Sequence, residues 1–129
     1  MVRYRLSGPA KADISSILRT SETQHGNDAR TRYRGLLTAA MRRIAADPQG
    51  LATADRSELL DGLRSLHIRH SRNESHEEPV GDPVHVIFYR AVEPEFFEIV
   101  RVLHDRMEPS QYMGPVKTNN KRGEKSRAI

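Results

Sequence analysis

The sequence predicts an α+β fold in which one small sheet packs against a helical hairpin. Three observations predict it: a short alternating segment at residues 2–6, two segments of helical periodicity separated at Gly26, and three strand-like segments in the second half. A chain of 129 residues with 36% hydrophobic residues can build one modest domain. We therefore expect an N-terminal strand, two helices, and an antiparallel three-stranded unit that completes one sheet packed on the two helices.

The first half of the chain contains the first strand and both helices. Residues 2–6 end at Ser7-Gly8-Pro9, where Ser7 or Gly8 can cap a helix and Pro9 suits its first turn. Helical spacing of apolar residues then continues until His25-Gly26-Asn27 interrupts it. The second helix has the strongest periodicity and ends at Asp47-Pro48. Its apolar stripe consists of Tyr33, Leu36, Leu37, Ala40, Met41, Ile44 and Ala45.

The second half of the chain supplies the remaining strands. Residues 49–61 are polar and irregular, and strands are predicted at residues 63–70, 84–91 and 96–104. Only four residues separate the last two strands, which predicts an antiparallel hairpin. The first two are separated by a long polar loop at residues 71–83.

The last predicted strand is apolar on both faces, yet it carries Arg101 near its middle. Burying a guanidinium among aliphatic side chains costs several kcal/mol unless an acceptor meets it. We therefore predict that Val100 and Val102 face the helices, and that Arg101 lies on the open side of the sheet with Ile99 and Leu103. Such an apolar surface with a charged group is typical of an interaction site.

The net charge of +4 is concentrated at the C-terminus. Residues 115–129 contain five basic residues and one acidic residue, whereas the other 114 residues contain 16 of each sign. We expect a single domain at residues 1–113, followed by a basic, flexible tail at residues 114–129.

Several classes of protein are disfavoured by the sequence. There is no cysteine, no apolar run approaching the roughly 18 residues of a membrane span, and no apolar core of a signal peptide at the N-terminus. His67 and His70 would point to opposite faces of a strand, so they do not form a metal-ligand pair. Glycine-rich phosphate loops are absent as well. We expect a cytoplasmic protein without a metal or other cofactor.

Three segments carry a family resemblance. Gly62-Leu63-Arg64-Ser65-Leu66, His85-Val86-Ile87-Phe88-Tyr89-Arg90 and Ile99-Val100-Arg101-Val102-Leu103-His104-Asp105-Arg106 resemble the ParE branch of the RelE/ParE toxin superfamily. The resemblance covers residues 2–113 in family order. It implies a RelE/ParE-like fold and a toxin of a type II toxin–antitoxin system that inhibits DNA gyrase and so replication. It also implies neutralisation by direct binding of a ParD-like antitoxin in a hetero-oligomer.

The same resemblance suggests which residues bind each partner. Toxicity in the family is linked to the C-terminal region, which here gives Arg101, His104, Arg106 and Met107 as candidate contacts to the target. The candidate contacts to the antitoxin come instead from the face of the sheet that is predicted to be open, and they are Ile87, Tyr89, Ile99, Arg101 and Leu103. A toxin of this branch acts by binding, so neither a reaction of its own nor direct sequence-specific recognition of nucleic acid is expected.

Two other functions remain open on sequence grounds. A RelE-like endoribonuclease acting on ribosome-bound mRNA needs a proton acceptor, a proton donor and cations around the phosphorane. Candidate residues for those roles lie on or beside the last two strands, namely Tyr89, Arg90, Arg101, His104 and Arg106. The other alternative is a member without toxicity that binds its partner and regulates transcription through it.

Overall fold

A computed structural model describes residues 3–113 of the chain, so the predicted tail at 114–129 lies outside the described residues. The elements are β1 (Arg3–Leu6), α1 (Gly8–His25), α2 (Asn27–Ala46), β2 (Ala54–Asp55), β3 (Leu63–His67), β4 (His85–Glu93), β5 (Phe96–His104) and the short α3 (Ser110–Met113). A 3₁₀ turn at Ile68–Ser71 follows β3.

The strands form one five-stranded sheet in the order β1-β5-β4-β3-β2. The first strand pairs with β5 in parallel, and the other neighbours are antiparallel. The predicted α+β class, with an N-terminal strand, a helical hairpin and a sheet completed by the C-terminal strands, is confirmed.

Local sequence signals explain how the two helices begin and meet. The Ser7 hydroxyl accepts a hydrogen bond from the Ala10 amide at 3.0 Å and so caps α1. Gly26 lies between α1 and α2 with a φ of +94°, a backbone conformation that residues with a Cβ rarely adopt. The predicted break at this glycine is therefore a conformational requirement of the helical hairpin.

The main core lies between the hairpin and one face of the sheet, which we call the inner face. The predicted stripe of α2 packs there with Ala10 and Leu18 of α1. The sheet contributes Leu66, Ile87, Tyr89, Phe97, Ile99 and Val102 to this core.

A β-bulge in β5 changes which residues reach the core. Phe88 pairs with Arg101 while its neighbour Tyr89 pairs with Ile99, so Val100 is an extra residue in β5. As a result Ile99 and Val102 both face the helices, and Val100 and Leu103 face the opposite, outer side. The prediction was correct for Val102 and wrong for Val100 and Ile99, because it assumed an uninterrupted alternation along the strand.

The outer face of the sheet is partly covered by the chain itself. Leu63, Phe88, Val100, Leu103 and Met113 form a second buried cluster, against which Leu59, Leu60, Val86 and Tyr112 pack. The expectation of an open apolar face was therefore wrong, since residues near 59–60 and the C-terminal α3 supply the cover.

Candidate functional site

A groove of about 710 Å³ opens between α1, the end of β5 and the segment that leads into β4. Ser16, Ile17 and Thr20 of α1 line one wall, and residues 80–82 with Val84 line the other. Tyr33 and His85 lie at the groove between these walls, and its β5 end is lined by Arg101, Val102, Leu103, His104 and Met107.

The groove begins where β1 stops accompanying β5. Strand β1 ends at Leu6, which pairs with Ile99, so the rest of β5 has no neighbouring strand on that side. The start of α1 supplies hydrogen bonds in its place. The Ser7 hydroxyl donates to the Val100 carbonyl at 2.8 Å, and the Asp13 carboxylate accepts from the Val102 amide at 2.9 Å.

Asp13 also binds Arg101 in a bidentate ion pair. Arg101 Nε and Nη2 each donate to an Asp13 oxygen at 2.8 Å, and Arg101 Nη1 donates to the Tyr112 carbonyl at 3.2 Å. Both side chains are largely buried, with exposures of 19% for Arg101 and 14% for Asp13. The hydrogen bonds that Arg101 donates to Asp13 raise the pKa of Arg101. The arginine thus links α1, β5 and the C-terminal α3.

A neutral histidine lies at the groove beside this pair. The Tyr33 hydroxyl contacts His85 Nδ1 at 2.6 Å and accepts from the Val84 amide at 3.2 Å. Burial lowers the pKa of His85 to about 4, and burial raises the pKa of Tyr33 to about 12. The Tyr33 hydroxyl therefore donates a hydrogen bond to His85 Nδ1, and the neutral histidine carries its own proton on Nε2.

The end of β5 carries a second polar group, around Asp105. His67 Nε2 lies 2.9 Å from one Asp105 oxygen, and His104 Nδ1 lies 3.4 Å from the other. The hydrogen bond from His67 lowers the pKa of Asp105. The rings of His85 and His104 meet edge to face at 5.5 Å, so the two polar groups adjoin at the β5 end of the groove.

The four residues predicted to contact the target lie close together in the chain but differ in exposure. Arg101 is mostly buried in its ion pair, and His104 is about one-third exposed. Met107 is 43% exposed, and Arg106 is exposed. Only Arg106 lies outside the lining of the groove. The predicted target surface therefore reduces to the tip formed by His104, Arg106 and Met107, with Arg101 behind it.

The residues predicted to contact an antitoxin divide between the two faces. Ile87, Tyr89 and Ile99 are at most 1% exposed and lie in the main core under the helices. These three side chains are not accessible in this fold, because the helical hairpin covers the face of the sheet on which they lie. Arg101 and Leu103 line the groove, so they alone of the five can meet a bound segment there.

The five candidate nuclease residues do not converge. The Tyr89 hydroxyl donates to the Pro48 carbonyl beneath the helices, and Arg90 lies near Glu98 with 3.9 Å between the charged groups. His85, not Tyr89, pairs with His104, which places Tyr89 four residues, or about 13 Å, farther along β4. With Arg101 engaged by Asp13, the described residues do not assemble these side chains around one phosphate.

Among residues 3–113 no group of three or more His, Asp or Glu side chains is arranged to hold a metal ion. Within the same range no helix is long and apolar enough to cross a membrane.

Sequence reasoning missed Asp13, Ser16 and the pairing of Tyr33 with His85. A signal for Asp13 did exist. It lies three residues after Ala10 and four before Ile17, on the side of α1 that faces the sheet, where an acidic residue needs a partner. On β5, Arg101 likewise needed a partner of opposite charge.

The fold and the groove define a small α+β protein with an open, partly apolar groove beside the end of its last strand. The family model described as "ParE toxin of type II toxin-antitoxin system, parDE" matches residues 4–109. The chain is also similar to "Toxin ParE1" of Caulobacter vibrioides, with 32% identity over 114 residues that cover 88% of this chain and 100% of that protein. The chain therefore belongs to the ParE toxin family of type II toxin–antitoxin systems.

Proposed function

We propose that this ParE-family toxin inhibits DNA gyrase in the cytoplasm by binding, without a reaction of its own, and that a ParD-like antitoxin neutralises it. Family membership supports the gyrase target and the antitoxin. The observation that carries the second half of the proposal is the groove, which lies beside the candidate target residues His104 and Met107.

The groove suits an antitoxin segment with apolar side chains. Ile17, Val80, Val84, Val102 and Leu103 supply apolar contacts along it. Polar groups at one end can fix the orientation of the segment, since the His85 Nε2 proton is a donor for a carbonyl or carboxylate. An interface of this type combines apolar affinity with a few orienting hydrogen bonds.

Binding in the groove would cover the residues that we assign to the target. His104 and Met107 line the groove and also form part of the exposed tip with Arg106. A segment lying there would obstruct access to that tip. The antitoxin would therefore neutralise the toxin by excluding the target from this tip, with no change of fold in the toxin.

Substitution of Ser16 tests the groove, and Ser15 provides a matched control. Both are exposed serines on α1, but only Ser16 lines the groove. We expect Ser16→Trp to weaken binding of the co-purified antitoxin at least tenfold, measured by calorimetry, while Ser15→Trp leaves it unchanged. Growth arrest by the free toxin should persist in both variants. Equal antitoxin affinity for the two variants would contradict groove binding.

A gyrase cleavage assay beside a translation assay tests the target. We expect the purified chain to convert plasmid into the linear form in the presence of gyrase and to leave ribosome-bound mRNA intact. Arg106→Ala should reduce linear product, whereas Arg34→Ala, an exposed arginine on α2, should not. Codon-positioned mRNA cuts without linear plasmid would instead identify an endoribonuclease. Absence of growth arrest on expression would favour a regulatory member without toxicity.

A further inference from the structure

We infer that the loop between β3 and β4, residues 71–83, selects which antitoxin can enter the groove. This inference rests on the proposed function and adds the determinant of partner choice. The loop is held against α2 by contacts along its length, and its last part forms one wall of the groove. Its position therefore sets the width and the charge of the binding site.

The first anchor of the loop is Arg43 on α2. Its guanidinium donates to the His70 carbonyl and to Glu74 Oε2, the latter at 3.2 Å. Within the loop, Arg72 Nε donates to the Val80 carbonyl and so folds the segment back on itself. Ser71 is fully buried at the start of this fold.

The second anchor is a close approach at Gly35. A Cβ at this position would lie 2.7 Å from Glu77 Cγ and 2.7 Å from Ser75 Oγ, which is nearer than side chains tolerate. A glycine in the middle of a helix costs about 1 kcal/mol relative to alanine. Close seating of the loop on α2 gives a physical reason for a glycine at this position.

The third anchor fixes the end of the loop at the groove. Val80 packs on the main core, and the Val84 amide donates to the Tyr33 hydroxyl. Between these two points Gly81 and Asp82 are exposed and line the groove opposite α1. A Cβ on Gly81 would meet nothing within 4 Å, so this position faces open space.

The charge of the loop determines which side chains in a bound segment are favoured. Residues 71–83 contain four acidic side chains and one arginine, while α1 and α2 together contain seven basic residues and three acidic ones. Asp82 brings the acidic charge to the edge of the groove. A segment with a basic side chain beside Asp82 would be favoured over one with an acidic side chain, because like charges across an interface disfavour the wrong partner.

Two glycine substitutions test the inference by different routes. Gly35→Leu improves the helix propensity of α2 but forces the Ser75 and Glu77 side chains out of their contact with α2, and we expect this to shift the loop. Gly81→Leu adds bulk to the groove wall without such a clash. The matched control is Gly8→Leu, since Gly8 also has nothing within 4 Å and does not line the groove. Each variant is titrated with the cognate antitoxin from the neighbouring reading frame and with a panel of ParD-like antitoxins from other operons.

We expect both test variants to lose about tenfold in affinity for the cognate antitoxin relative to Gly8→Leu, and to change the rank order of the panel. Asp82→Lys should shift the order toward segments with an acidic residue. Growth arrest by each variant alone reports that it is folded. An unchanged rank order, whether affinities stay equal or all fall together, would overturn the inference. Failure of the wild-type chain to bind any antitoxin would instead refute the proposed function.

Discussion

The two halves of β5 differ in their surroundings: the first half lies inside the sheet and the main core, and the second half borders the groove that we propose binds the antitoxin. Residues 96–99 have a strand on each side, β1 and β4, and Phe97 and Ile99 are almost fully buried in the main core. From Val100 onward only β4 accompanies the strand, and side chains of α1 supply the missing partners. The groove lies along this second half. The groove thus arises where regular strand pairing ends and polar side chains complete the edge.

Truncation of a core side chain in the first half of β5 should have the largest effect on stability. Ile99 is 0% exposed in the main core, so Ile99→Ala should lower the free energy of unfolding by about 3 kcal/mol. Urea denaturation followed by circular dichroism measures the loss. Val92→Ala, at a position that is 43% exposed, should change it by less than about 0.5 kcal/mol. Similar small losses in both variants would show that Ile99 is not the core residue described.

Removal of the acidic partner in the second half should have the next largest effect. Asp13→Ala leaves the Arg101 guanidinium and the Val102 amide without their acceptor, at a cost of about 2–3 kcal/mol. Glu22→Ala is a matched control on α1, because Glu22 pairs with Arg30 while 49% exposed. Exposed pairs of that kind contribute about 0–1 kcal/mol. Comparable losses in the two variants would contradict a special role for Asp13.

A second substitution sharpens the test of the ion pair. In the Asp13→Ala background, Arg101→Met removes the charge that has lost its partner and keeps much of the side-chain volume. We expect the double variant to be more stable than the sum of the single changes predicts, by about 1 kcal/mol or more. Strict additivity in urea denaturation would mean that the two side chains do not interact.

Of the three effects that concern a single side chain, the smallest is the effect of pH on His85. The pKa of His85 is about 4 in the folded state and about 6.5 when unfolded, so the unfolded state binds more protons between these values. The stability contributed by neutral His85 is therefore fully present above pH 6.5 and is lost as the pH falls toward 4. After allowance for partial exposure, the contribution is about 2 kcal/mol.

The difference between wild type and His85→Gln isolates this contribution. The charged or titratable neighbours that influence His85 all remain in the variant, namely His104, Asp105, His67, Asp13 and the hydrogen-bonded Tyr33. Denaturation curves at pH 7, 6, 5 and 4 should converge for the two proteins as pH falls. A constant difference across this range would show that His85 does not titrate as described.

Much of the fold could be predicted because it depends on periodicity and on local capping. The stripe of α2, the break at Gly26 and the bounds of β5 all follow from spacing in the sequence. Two features did not. Strand β2 has only two residues, Ala54 and Asp55, with no alternation to detect, and the predicted strand at 63–70 ends at His67 because a 3₁₀ turn follows.

The candidate site was less predictable because it depends on pairing between distant segments. The position of the bulge at Val100 is set by the register of β4 against β5, and it reverses the orientation of Ile99 and Val100. The sequence indicated that Arg101 needs an anion. Only the packing of α1 across the end of β1 identifies Asp13 as that anion.

The bond from Val102 to Asp13 has one more consequence. An unpaired strand edge invites another chain to extend the sheet, and the resulting aggregates would remove the toxin from solution. A carboxylate placed at that edge occupies the free amide and introduces charge where an incoming strand would lie. The chain can thereby leave the second half of β5 without a neighbouring strand beside the groove and still resist edge-to-edge association when no partner is bound.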